Sequence, residues 1–154
     1  MTSETMAATV RRSWALDLDV TTLYELLRLR VDVFVVEQAC AYGELDGRDL
    51  EPRARHYWLA GSGHPEPVLG CVRLLKEADG DYRVGRLCTA RCARGRGLGK
   101  RLMEAVLAEV GDGACVLDAQ EHLGDFYRGF GFEATGPVYD WDGVAHLPMR
   151  RPAR

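Results

Sequence analysis

The sequence predicts one α/β (α+β) domain built on a mixed sheet, and three observations carry that prediction. The chain has 154 residues, a length that suits a single domain with its own core. Short runs of alternating or continuous apolar residues read as strands, and two longer stretches keep helical spacing. These segments follow the order β-α-β-β-β-α-β-α-β-β, without an internal repeat or linker, as an α/β domain requires.

Each element has its own warrant. "MTSETMAATVRR" lacks an apolar h-region, so no signal peptide is expected, and residues 1–8 read as a mobile lead-in to a domain spanning 1–154. "WALDL" alternates at Trp14, Leu16 and Leu18 and reads as the first strand. Thr22 with Glu25 three residues on forms a capping box, and Leu23, Leu26, Leu27, Arg30, Val31 and Phe34 continue a helix to about Glu37. Cys40 to Arg55 is a long, polar, acidic loop, and long loops in compact domains are often functional. "HYWLAG" is a strand. "VLGCVRLLKE" and "DYRVGRLCTA" are two strands joined at Ala78-Asp79-Gly80, a hairpin signal. Gly97 or Leu98 opens a second helix, with Leu98, Leu102, Ala105, Val106 and Val110 on one face and "GDG" at its end. "ACVLDAQ" is a strand, "EHLGDFYRGF" a short helix, and "FEATGPVYDWDGVAHLPM" two strands around a "DWDG" turn.

Composition narrows the function. Hydrophobic residues make up 47% and charged residues 28%, ordinary for a soluble domain. No apolar run approaches the roughly 20 residues that span a bilayer, so no membrane association is expected. A net charge of −3 argues against a nucleic-acid partner. Basic residues nevertheless cluster between Arg86 and Arg101, and acidic ones between Glu37 and Glu51. The five cysteines are Cys40, Cys71, Cys88, Cys92 and Cys115. An odd number without a secretory signal fits reduced thiols and a cytoplasmic location, and no pair has zinc spacing, so no metal is expected. Cys71, Cys88 and Cys115 sit in apolar runs as small core residues.

"RCARGRGLGKRLMEAV" places Gly95, Gly97 and Gly99 between a strand and a helix. Free backbone N–H groups and the helix dipole make such a junction an anion site. Arg94, Arg96, Lys100 and Arg101 can add charge-assisted contacts. A P-loop would need Gly at 94 and Ser or Thr at 101, where arginines stand. A dinucleotide fingerprint starting at Gly95 would need Gly at 100, where Lys stands. A plain tight turn before a solvated helix end is the alternative, but it leaves basic residues opposing the dipole.

"RGRGLG", Arg94 to Gly99, resembles the R/Q-x-x-G-x-G/A motif with which GNAT acetyltransferases bind the pyrophosphate of acetyl-CoA. "QEHLGDFYRGFGF" is similar to the segment after that family's fifth strand, with Tyr127, Gly131 and Phe132 in register; Gln120 stands where many members have Asn. "LRVDVFVVEQACAYGELDGRD", "GRLCTARCARGRGLGKRLM" and "DGVAHLPM" resemble the ElaA-like subgroup, so the resemblance runs from the first helix to the last strand. It implies a mixed, mostly antiparallel sheet flanked by helices and splayed between its fourth and fifth strands.

The same resemblance implies an N-acetyltransferase that takes acetyl-CoA as donor and a primary amine of a small molecule or peptide as acceptor. A CoA-binding sensor without catalysis is the alternative. Leu87, Cys88 and Thr89 match the strand edge that pairs with pantetheine, with a backbone N–H near Leu87 or Cys88 as oxyanion donor. Arg94, Gly95, Arg96, Gly97, Leu98, Gly99, Lys100, Gln120, Phe126 and Tyr127 complete the implied cofactor contacts. Tyr127 is the implied general acid, since a phenol is protonated at neutral pH. The base stays open among Glu37, His146, His56, Glu121 and water, with Glu37 and His146 ahead. Glu37, Asp46 and Asp49, within an acidic stretch that includes Glu44 and Glu51, would attract a cationic acceptor. Trp58, Trp141 and Tyr42 are candidates to line its pocket, though core or hairpin packing is the commoner use of such residues. The chain is a monomer, or a homodimer through its terminal hairpin.

Overall fold

The computed structural model describes residues 8–39, 43–63 and 66–154. Tyr42 and Cys40 lie outside the described residues, as does the lead-in up to residue 7. Ala8 is described and buried, and its carbonyl accepts a 2.8 Å hydrogen bond from Arg101.

The elements are β1 (Thr9–Trp14), α1 (Val20–Arg30), β2 (Arg55–Ala60), β3 (Val68–Lys76), β4 (Tyr82–Thr89), α2 (Leu98–Val110), β5 (Cys115–Gln120), α3 (Gly124–Arg128), β6 (Glu133–Ala134), β7 (Tyr139–Trp141) and β8 (Val144–Arg151). Eight strands form one sheet in the order β1-β2-β3-β4-β5-β8-β6, with β7 also on β8. All pairings are antiparallel except β4 with β5.

Helix α1 continues without a break into a π-helical stretch, Val31–Glu37, closed by the Gln38 N–H donating to the Val33 carbonyl at 3.0 Å. Such stretches are rare and often mark functional positions. Leu26, Leu29, Val33 and Phe34 bury one side of this long helix against Cys71 and Cys88. On the opposite face of the sheet α2 packs Leu98, Leu102, Met103, Val106 and Val110 over β1, β2, β3 and β4. Burial of these apolar faces is the main stabilising term.

Three local expectations are corrected. The first strand is Thr9–Trp14, and Ala15–Asp17 is a 3-10 turn in which Leu16 is exposed. Strand β1 is the edge of the sheet, and its polar sequence "TVRRSW" hides it from a search for apolar alternation. The cap of α1 is Asp19, not Thr22: the Asp19 carboxylate accepts from the Thr22 N–H at 2.6 Å and the helix begins at Val20. The C-terminal segment holds three strands rather than two, because β6 pairs briefly with β8 before the β7–β8 hairpin.

Candidate active site

Strands β4 and β5 pair only at Tyr82–Cys115 and Arg83–Val116. Arg83 also bridges to Asp118 at 2.9 Å. Beyond these positions the two strands separate, while β5 stays paired with β8 along its whole length. The gap is a cleft of about 350 Å³ whose walls include Phe34, Leu87, Leu117, Gln120, Tyr127 and His146. From Val84 onward the β5-facing edge of β4 carries no strand partner among the described residues.

Leu87, Cys88 and Thr89 lie on that splayed part of β4. Leu87 borders the cleft. The Cys88 side chain turns to the other face, where its sulfur lies 3.7 Å from Cys71 and is buried, which pushes its thiol well up. Only its backbone is therefore offered to the gap. Opposite this stretch the β3 register slips: Cys71 pairs with Cys88 and Arg73 with Gly85, so Arg86 and Leu87 together face Val72 in a β-bulge. Arg86 has φ +59°.

The glycine-rich turn stands at the end of β4. Gly95 and Gly97 adopt φ of +78° and +73°, and a Cβ at either would meet open space. Gly97 caps α2 without a side chain, and no acid occupies the helix's first turn, so no side chain of the turn covers its leading N–H groups. Leu98 is anchored in the core, and a Cβ added at Gly99 would meet the Phe126 ring at 3.9 Å. Arg96 and Lys100 are exposed, Lys100 lying 4.0 Å from Glu104. This cradle fits an anion such as a pyrophosphate.

Arg94 is held differently. It makes a two-pronged ion pair with Glu37, at the end of α1's π-helical extension, and donates twice to the Thr89 carbonyl at 3.3 and 3.2 Å. The Arg94 hydrogen bond, with the charges of Arg94 and Arg91 behind it, holds the Glu37 carboxyl below its ordinary range. Glu37 is thereby a poor proton acceptor and a tie between the long helix and the glycine turn.

Tyr127 is buried among Phe126 and Phe132, yet it lines the cleft, and its hydroxyl has no hydrogen-bond partner among the described residues. Burial pushes its pKa up to about 12. His146 reaches the cleft from β8 between Tyr139 and Trp141, and its Nδ1 lies 2.9 Å from the Val144 carbonyl. A carbonyl accepts only, so Nδ1 carries a proton, and in the neutral ring Nε2 is the acceptor. The Gln120 amide donates to the Gln38 side-chain oxygen at 2.9 Å, tying β5 to the end of the long helix. His56 is buried away from the cleft on the Asp49 carbonyl, 2.9 Å from Nε2, and burial lowers its pKa. Glu121 is exposed in a 3-10 turn.

Two acids of the loop are withdrawn from solvent. Glu44 and Asp49 are buried, and with Asp46 they meet Arg30, Arg73 and Arg86 in one ionic cluster. Burial raises the Asp46 pKa, but hydrogen bonds from Arg73 and the Arg48 N–H outweigh it and hold the carboxyl at about 2. Asp49 is likewise held low, by Arg30 and Arg73 against burial. Burial wins at Glu44, whose pKa is raised. Of these acids Asp46 borders the cleft. Trp141 does as well, whereas Trp58 packs into the core beneath α1. The cluster's arginines escaped the sequence reading. Their signal was Arg30 on the apolar stripe of α1 and Arg73 inside "VLGCVRLLK", since a buried charge needs a partner.

Among the described residues no group of three or more His, Cys, Asp or Glu is placed to hold a metal, and no helix is long and apolar enough to cross a membrane. Residues 31–152 match the family described as an acetyltransferase (GNAT) domain. The chain is 52% identical over 151 residues to a UPF0039 protein of Mycobacterium tuberculosis, covering 96% of this chain and 95% of that one. It is 39% identical over 142 residues to protein ElaA of Escherichia coli, covering 88% and 90%. The crystal structure of Escherichia coli ElaA superposes with a TM-score of 0.84 at 35% identity, over 94% of this chain and 99% of that one. An acyl-CoA N-acyltransferase from Pseudomonas aeruginosa superposes with a TM-score of 0.88 at 38% identity, over the same shares. The chain belongs to the GNAT acetyltransferase family, within its ElaA-like subgroup.

Proposed function

We propose that the chain is an acetyl-CoA-dependent N-acetyltransferase acting on a primary amine of a small molecule or peptide. The observation that carries this is the opening of β4 from β5 after two paired residues, beside a glycine-capped helix N-terminus. Bound acetyl-CoA supplies the thioester. The N–H groups from Gly97 to Lys100 hold its pyrophosphate, Gly95 and Gly97 leave room for it, and Arg96 and Lys100 add charge. Arg94 keeps the turn in place through Glu37 and Thr89. The Leu87–Thr89 edge holds the pantetheine arm, and the backbone N–H near Leu87 polarises the carbonyl. Gln120 and Phe126 border the same space.

Tyr127 keeps its proton at any physiological pH and donates it to the departing sulfur. His146, with Nε2 free to accept, takes the proton of the amine, a task Glu37 fills poorly while paired with Arg94. Asp46 and Trp141, both in the cleft lining, are the residues nearest to hand for the acceptor. A reducing, cytoplasmic setting suits Cys71 and Cys88, whose thiols touch without being linked.

The test is a turnover screen with acetyl-CoA across polyamines, amino acids, aminoglycosides and peptides, following free thiol and the acetylated product. Transfer to at least one amine is expected. Tight CoA binding with no transfer to any class favours the non-catalytic CoA-binding domain instead.

A further inference from the structure

Arg86 has a backbone conformation that its own side chain does not favour. A φ of +59° lies in the left-handed region, which non-glycine residues enter rarely and at a cost. The residue sits in the bulge of β4, directly before Leu87, which lines the cleft. A bulge bends its strand and re-aims the residues that follow. Whatever holds Arg86 left-handed therefore also sets where the Leu87 backbone points.

The Arg86 guanidinium is about nine-tenths buried and is gripped by acids of the loop. Its Nε lies 2.9 Å from the Glu44 carboxylate, and its Nη2 donates to the Glu44 carbonyl at 3.2 Å and to Asp46 at 3.3 Å. The grip is anchored in turn. Arg30 donates to the Glu44 carboxylate at 2.7 Å, and Arg73 holds Asp46 with two bonds of 2.9 Å. Arg30 and Arg73 both bond Asp49. The three cations come from α1, β3 and β4, and the three anions from the loop after the long helix. Charge balances within the cluster, so it is not needed to attract an acceptor of either sign.

We propose that Glu44, seconded by Asp46, is a positioning residue: by holding the Arg86 side chain it keeps Arg86 left-handed and so keeps the bulge that presents the Leu87 backbone to the cleft. This rests on the reading of Leu87–Thr89 as the edge that holds the donor.

The decisive comparison is Arg86→Gly against Arg86→Ala. Both delete the guanidinium and leave Glu44 with Arg30, but only glycine enters the left-handed region freely. Calorimetry with CoA should show the glycine variant binding about tenfold tighter than the alanine variant. Glu44→Gln should weaken CoA binding by about tenfold, and adding Arg86→Gly to it should recover most of that loss. A cluster that only stabilises the fold would give no such recovery. A second readout needs no ligand: backbone chemical shifts should place φ of Arg86 positive in the parent protein and negative in Glu44→Gln. Equal affinities for the glycine and alanine variants, or a positive φ that persists in Glu44→Gln, overturn the proposal. If Glu44→Gln does not fold, the two Arg86 variants decide alone. If no variant and not the parent binds CoA, the donor-edge reading falls, and the φ measurement still decides the grip.

Discussion

Tyr127 combines a buried ring with a hydroxyl at the cleft wall. The ring meets Phe126 and Phe132 edge-on, with centroids 5.1 and 6.3 Å apart, so packing fixes where the hydroxyl points. Deleting that hydroxyl removes no hydrogen bond among the described residues, so Tyr127→Phe should keep its stability within about 0.5 kcal/mol. It should lower kcat by about 100-fold and change the CoA dissociation constant by less than about twofold. Steady-state kinetics and calorimetry on the same preparations check both. The pH dependence has a definite sign. A tyrosine held at about 12 stays protonated, and therefore competent, as pH rises to 10. The parent enzyme should show no alkaline loss below pH 10 that disappears in Tyr127→Phe; such a loss would remove Tyr127 as the acid. Glu37 makes the complementary point. Its place at a helix end beside the acidic loop suggested a base, and only the fold shows Arg94, far along the chain, holding its carboxylate.

Helix α2 is the element whose sequence and structure agree best. Its apolar stripe, its glycine start and its "GDG" stop are local signals, and the helix runs from Leu98 to Val110 as they indicate. The splay of β4 from β5 was reached through family resemblance; nothing in the two strands' own composition marks where pairing stops. Edge strand β1 was misplaced because exposed strands need not alternate. The ionic cluster was invisible because its partners lie 14 to 24 residues apart, and sometimes further, joined through a loop with no regular period. The left-handed Arg86 leaves no trace in residue type at all. Gly97, in contrast, is readable and testable. At φ +73° an alanine is strained, so Gly97→Ala should cost about 1–2 kcal/mol of stability. Its methyl would also project into the open space assigned to the pyrophosphate, so CoA affinity should fall by at least about tenfold. Denaturant melts and calorimetry separate the two effects. Lost stability with unchanged CoA affinity would mean that the cradle is not the phosphate site.

At the scale of the molecule, the sheet is two blocks, β1–β4 and β5–β8, whose links include two parallel backbone pairs, the Arg83–Asp118 and Arg150–Asp81 bridges, the Gln120–Gln38 hydrogen bond and a shared apolar core. The first block carries the ionic cluster, and acid should find it. Asp46, at about 2, and Asp49, also lowered, stabilise the fold above their unfolded values near ~3.9 and lose that contribution as pH falls toward 2. Glu44 has the opposite sign, because its raised pKa means that protonation favours the folded state. Urea midpoints should therefore hold to about pH 5 and drop steeply below about pH 4, and Asp46→Asn should flatten the drop. The junction between the blocks responds to ligand instead. A molecule held by the β4 edge, the glycine turn and the β5 side of the cleft links both blocks and binds only the folded chain. At 100 times its dissociation constant, CoA should add about 2.7 kcal/mol. For a chain of this size that is a rise in Tm of about 5–10 °C. Amide exchange should slow at Leu87–Thr89 and at Ala119–Gln120 together, because the ligand spans the gap between them. Protection confined to the glycine turn would show phosphate binding without pantetheine in the cleft, and a Tm unmoved by millimolar CoA would remove the donor from the site altogether.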